Sequence, residues 1–120
     1  MWMNLKQDLW GKNYELSLKL PEEWNTSVVY MEGDGEEALR ADDYKNVLAP
    51  LAHMINGKRE ICILFDDLSR PTKTHLVLPH LLELFDKCGI RDEQIRFLCA
   101  TGMHTPLNNA GFRKKLGDDI

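Results

Sequence analysis

Two short segments of this 120-residue chain collect residue types able to do chemistry. The first is Asp66-Asp67-Leu68-Ser69-Arg70-Pro71-Thr72, with two adjacent carboxylates, a hydroxyl, an arginine and a proline that stiffens the exit. Arg70 offers a planar fork of donors suited to a carboxylate or a phosphate. Ser69 and Thr72 stand where a following helix gathers unpaired backbone N–H groups, which also favours an anion. Asp67 is able either to position Arg70 or to accept a hydrogen bond from a ligand hydroxyl. A turn capped by Asp, Ser and Thr, with a surface ion pair, uses the same residues. The second segment is Thr101-Gly102-Met103-His104-Thr105-Pro106. Thr101 and Gly102 let the backbone come close to a ligand. His104 is a residue type suited to general acid or base work, although a loop histidine with no task fits the same spacing.

The elements flanking these segments place them at one end of a sheet. Ile61-Cys62-Ile63-Leu64-Phe65 is an unbroken apolar run, which predicts a central parallel strand covered on both faces. Thr72 is the expected N-cap of a helix running to about Cys88, with Gly89 just past its end and a kink at Pro79. Residues 95–100 read as a second strand, and a last helix covers about Asn109 to Leu116, stopped by Gly117. This strand–helix–strand–helix order suits a right-handed crossover. Both loops then leave the carboxyl ends of parallel strands, where open sheets bind ligands.

Upstream, Tyr14, Leu16, Leu18 and Leu20 alternate with polar residues, a half-buried strand that Pro21 ends. Residues 27–32 are expected to form another strand, and Gly33-Asp34-Gly35 a turn. A helix is expected over Asp43–Asn56, capped by Ala41-Asp42, with Pro50 predicting a kink or a later start. The fold class is therefore α/β, with a largely parallel, Rossmann-like sheet of βαβ units in a single domain over residues 1–120. The chain stops just after a helix, where such a fold would supply another strand.

A net charge of −4 argues against a general nucleic-acid binder, which needs a surplus of Lys and Arg. Cys62, Cys88 and Cys99 are odd in number and lack C-x-x-C spacing, so small buried thiols in a reducing cytosol are expected. No stretch approaches a membrane span and no signal peptide opens the chain, so the expected location is the cytoplasm. His53, His75 and His80 are expected on helices in packing or surface roles. No three histidines have metal-ligand spacing, so no metal site is assigned. The paired glycines Gly33 and Gly35 lack the third glycine of a dinucleotide fingerprint.

FDDLSRPT, an apolar helix, Gly89-Ile90 and then LCATGMHTP form a pattern that resembles the N-terminal domain of nickel-pincer-dependent lactate racemases and related 2-hydroxyacid racemases and epimerases. The opening from Gly11 to Trp24 fits as well, so the resemblance spans nearly the whole chain. It implies a nickel ion in a pyridinium-derived pincer nucleotide tethered through a lysine. It also implies a 2-hydroxy acid substrate whose hydroxyl proton goes to a histidine while its α-hydrogen leaves as hydride. His104 matches the first of two alternating acid/base histidines, and Arg70 matches the arginine that engages the substrate carboxylate. Asp67, Ser69, Thr101 and Gly102 fall on the cofactor side. Two departures bear on the substrate: Thr105 replaces an arginine, and Asn108 to Gly111 replace a helix start that often carries an acidic residue. Family members are several times longer. The tethering lysine, the second histidine and the nickel-ligating histidine belong to sequence outside these 120 residues. The resemblance thus implies the N-terminal part of a two-domain enzyme, inactive without its C-terminal part. The contrasting reading is a non-catalytic module that holds a nucleotide or a small organic anion. Neither reading fixes the oligomeric state.

Overall fold

A computed structural model describes residues 1–9, 12–30, 32 and 35–120. The chain divides into two compact units, Met1–Ala38 and Leu39–Ile120.

The first unit is a hairpin of β1 (Trp2–Leu9) and β2 (Lys12–Lys19), paired antiparallel with Met3 opposite Leu18 and Leu5 opposite Leu16. The strand read from the period-two pattern forms as β2, but Tyr14 and Leu16 are not half-buried: they are 48% and 47% exposed, and Leu20 lies just beyond the strand's end. Trp2–Leu9 was not anticipated, because its alternation is carried only by Met3 and Leu5. On the other face Ser17 donates to Asn4 at 2.8 Å, and the Lys19 ammonium lies 6.0 Å from the Trp2 ring centre. The strand expected over 27–32 is absent among its described residues. Val28, Val29 and Tyr30 are largely exposed, and β-branched composition alone does not supply a pairing edge. The turn expected at Gly33-Asp34 and the glycine Gly11 lie outside the described residues.

The second unit carries the parallel pair. Helix α1 (Ala41–Leu48) starts two residues before the expected Asp43, and Arg40 takes the N-cap place expected of Ala41-Asp42: the Asp43 carboxylate accepts the Arg40 N–H at 2.8 Å. Pro50 converts Ala49–Leu51 into a 3-10 turn, and α2 (Ala52–Ile55) resumes beyond it. Strands β3 (Ile61–Asp66) and β4 (Ile95–Ala100) pair in parallel, from Ile61 opposite Ile95 to Asp66 opposite Ala100. Between them runs α3 (Thr74–Lys87), and α4 (Asn109–Leu116) follows β4. The architecture is α/β, with one antiparallel and one parallel pair of strands among the described residues.

One face of the parallel pair meets the helices. Ile61, Ile63, Ile95 and Phe97 pack with Ile55, Leu78, Phe85, Ile90 and Leu116, and Phe112 stands edge-on to Phe65 at 5.7 Å. The other face differs from expectation. Leu64 and Leu98, directly opposite in register, are 66% and 56% exposed, and Cys62 beside them is exposed rather than buried. An unbroken apolar run shows that both faces can be buried, but not that both coverings lie within these residues. Among the other helix residues, His80 stacks on Tyr44 at 5.3 Å and joins α3 to α1, while His53 is exposed.

The end of α3 shows how sequence dictates a cap. Gly89 adopts φ +74, the Ile90 N–H returns to the Phe85 carbonyl, the Gly89 N–H returns to Asp86, and Ile90 buries against Phe85. Nothing lies within 4 Å of a Cβ added at Gly89, so Gly89→Ala costs backbone strain alone. We expect a loss of about 1 kcal/mol in denaturant unfolding.

Candidate functional site

β3 and β4 run in parallel and end level, so their exits emerge side by side. Asp66, the last residue of β3, is turned to the loop that follows. Its Oδ2 accepts the Thr72 hydroxyl at 2.6 Å, and its Oδ1 pairs with the Lys115 ammonium at 2.6 Å. Thr72 therefore closes the loop back onto the strand and is not the N-cap of α3, a place taken by Lys73, whose side chain makes no capping bond. An ionised carboxylate is a strong acceptor for a hydroxyl donor, and this bond turns Thr72 toward β3. Burial pushes the Asp66 carboxyl up, but the hydrogen bonds from Lys115 and Thr72 outweigh it and hold the group below its ordinary range.

Asp67 is 5% exposed. Its Oδ1 accepts both the Ser69 N–H at 2.9 Å and the Ser69 hydroxyl at 2.5 Å, and the Arg70 N–H bonds the Asp67 carbonyl at 3.2 Å. Its Oδ2 accepts from His104 Nδ1 at 2.5 Å. The Ser69 hydroxyl, then the His104 ring, then the Ser69 N–H hold the Asp67 carboxyl well down, at about 2. Asp67 is thus ionised at any physiological pH.

The loop after β4 brings His104 to this carboxylate. Gly102 takes φ +56, and the His104 N–H bonds the Thr101 carbonyl at 2.9 Å, so the chain reverses over 101–104. An ionised carboxylate accepts only, so the proton of a neutral His104 sits on Nδ1. That leaves Nε2 with its lone pair, on a side chain that is 58% exposed. The pairing fixes the tautomer and aims the basic nitrogen outward, as in other carboxylate–histidine pairs.

A crevice of about 240 Å³ is lined by Asp66, Asp67, Ser69, Arg70, Thr101, Gly102 and His104 among others. Asp67, Ser69, Arg70, Thr101, Gly102 and His104, six of the residues singled out in the sequence, therefore line one crevice, and Thr72 does not. Arg70 is exposed, and its guanidinium makes no ion pair with the described residues, Asp67 included. Asp67 serves His104 instead.

Sequence reasoning missed Lys115. It is fully buried, donates to the Arg70 carbonyl at 3.1 Å and pairs with Asp66. A signal was present: Gly111, Lys115 and Leu116 form the buried side of α4, so a lysine stands on the apolar face of an amphipathic helix. Asn108, the first residue of the 108–111 stretch that departs from the resembled pattern, is the α4 N-cap and accepts the Gly111 N–H at 2.9 Å.

Among the described residues no group of three or more His, Cys, Asp or Glu gathers as a metal cage, and no helix is long and apolar enough to cross a membrane. A lactate racemase of Lactiplantibacillus plantarum is 36% identical over 70 residues, which are 58% of this chain and 16% of that protein. The chain therefore corresponds to a small part of that relative's length. The model of the lactate racemase N-terminal domain matches residues 10–120, a span holding both loops of the crevice. By that match, the chain belongs to the lactate racemase N-terminal domain family.

Proposed function

We propose that these residues form the substrate-binding part of a 2-hydroxyacid racemase or epimerase, the remainder of whose active site is supplied by a C-terminal part outside this chain. The observation that carries the reading is the Asp67–His104 hydrogen bond at the rim of a crevice shared with Arg70. His104 Nε2 takes the substrate hydroxyl proton, and the Asp67 carboxylate stabilises the imidazolium that results. Arg70 binds the substrate carboxylate through two parallel N–H donors, which sets the hydroxyl at the imidazole.

A nickel-pincer nucleotide fits the organic side of this crevice and not its metal chemistry. The crevice offers an imidazole, a guanidinium and a glycine turn, but no metal-ligand cluster among the described residues. When bound, that nucleotide supplies the hydride acceptor and donor. Thr101 and Gly102 form the backbone it approaches, and Asp67 and Ser69 act on that side by holding the imidazole. The metal ligands, the tethering lysine and the second acid/base histidine belong to the C-terminal part. The Rossmann-like continuation of the parallel sheet and a cytoplasmic location are parts of the same proposal.

The test is Arg70→Ala in the complete protein loaded with cofactor. Losing a charged, paired contact to a carboxylate raises KM for lactate about a hundredfold, with a smaller change in kcat. An unchanged KM removes Arg70 from substrate binding. Lactate binding without any interconversion of enantiomers by the complete protein favours a binding module instead.

A further inference from the structure

We propose that Lys115 is a positioning residue of this site: its buried ammonium clasps the entrance of the Asp66–Thr72 loop to its exit and so fixes where Arg70 stands relative to His104. The assignment of a substrate role to Arg70 rests on the reading above, whereas the clasp itself does not.

Lys115 reaches Asp66 Oδ1 at 2.6 Å and the Arg70 carbonyl at 3.1 Å from a wholly buried position on α4. Those two acceptors lie at the start and near the end of the loop. The ammonium therefore joins the Asp66 side chain to the Arg70 backbone across a loop in which Asp67 is buried, Leu68 half-buried and Ser69 exposed. Inside that clasp, Asp67 and Ser69 form their own tight turn. The inner turn fixes Asp67 and hence His104. It does not hold the Arg70 carbonyl, and within the described contacts Lys115 does.

Global stability is a poor reason for such a residue. Removing a charge from water is costly, and an apolar side chain of similar length often fills such a slot equally well. An ammonium differs in having several donors that can join separate acceptors. Its place beside Leu116, under the loop, makes α4 a fixed support for the crevice.

The two roles separate in the variants Lys115→Met and Asp66→Asn/Lys115→Met. The single variant leaves the Asp66 carboxylate without its cation and is expected to lose stability. The double variant removes both charges and is expected to recover most of the thermal midpoint. In that double variant, amide hydrogen exchange at Ser69 and Arg70 is expected to quicken about tenfold or more, while Ile63 and Phe65 in β3 keep their protection. Oxalate, a small dianion titrated against the chain and followed by the backbone amide NMR signals of Gly102 and His104 in the same crevice, is expected to bind as weakly as in Arg70→Ala. Unchanged exchange at Ser69 and Arg70 in the stability-restored double variant overturns the proposal, as does oxalate affinity that returns together with stability. If Arg70→Ala alone leaves oxalate affinity unchanged, the substrate role of Arg70 fails, and the exchange measurement by itself decides the role of Lys115.

Discussion

On the proposed racemase reading, replacing His104 with Ala in the complete, cofactor-loaded protein is expected to cut the interconversion of D- and L-lactate by about 10²- to 10⁴-fold, the contribution of a well-placed general base. The geometry explains why no neighbour would compensate. Asp67 has both oxygens committed to Ser69 and to His104, and a carboxyl held at about 2 is too weak a base to take a hydroxyl proton. Rates should be measured from both enantiomers. The equilibrium constant between them is one, so kcat/KM must fall by the same factor in each direction. Full activity per loaded cofactor in His104→Ala would remove the imidazole from the reaction and with it the central assignment made for this chain.

The second large effect is expected from Asp67→Asn. A carboxamide no longer compels the proton onto Nδ1 and does not stabilise an imidazolium, so kcat should fall by about two to four orders of magnitude. KM for lactate should change less than it does in Arg70→Ala, because Asp67 does not contact Arg70 among the described ion pairs. The same substitution carries a stability signature. The Asp67 carboxyl lies at about 2 in the folded chain against an ordinary 3.8. A depressed carboxyl stabilises the fold fully above its unfolded-state value, and the contribution fades as pH drops from about 4 through about 2. Thermal midpoints taken between pH 7 and pH 2 should thus fall less steeply in Asp67→Asn than in the parent. Identical acid limbs would show that the carboxylate is not engaged as described.

The parts legible in the sequence are those set by local chemistry. Ile95–Ala100 and Asn109–Leu116 form where composition and stop residues place them, and Gly89 takes the left-handed turn that its position after an apolar helix requires. The meeting of Arg70 and His104 was also legible, since two loops at the same end of adjacent parallel strands must emerge together. Long-range choices were harder to read. Thr72 reads in the sequence as a helix cap accepting a backbone N–H, whereas its donation to Asp66 depends on how the loop folds back. Asp67 reads in the sequence as a partner of Arg70 or of a ligand hydroxyl, and its actual partner, His104, is brought to it by the reversal at Gly102. Lys115 joins residues 45 positions away, a separation at which sequence pattern marks the burial of a lysine but not its partners.

The paired leucines on the outer side of β3 and β4 have a practical consequence. Leu64 and Leu98 place adjoining hydrocarbon in contact with water, at a free-energy cost of about 25 cal/mol for each Å² so exposed. At millimolar concentrations that cost favours self-association of the polypeptide in solution. Dilute samples and a low-salt buffer, which weakens the salting-out of hydrocarbon, are the conditions in which its spectra will report single molecules.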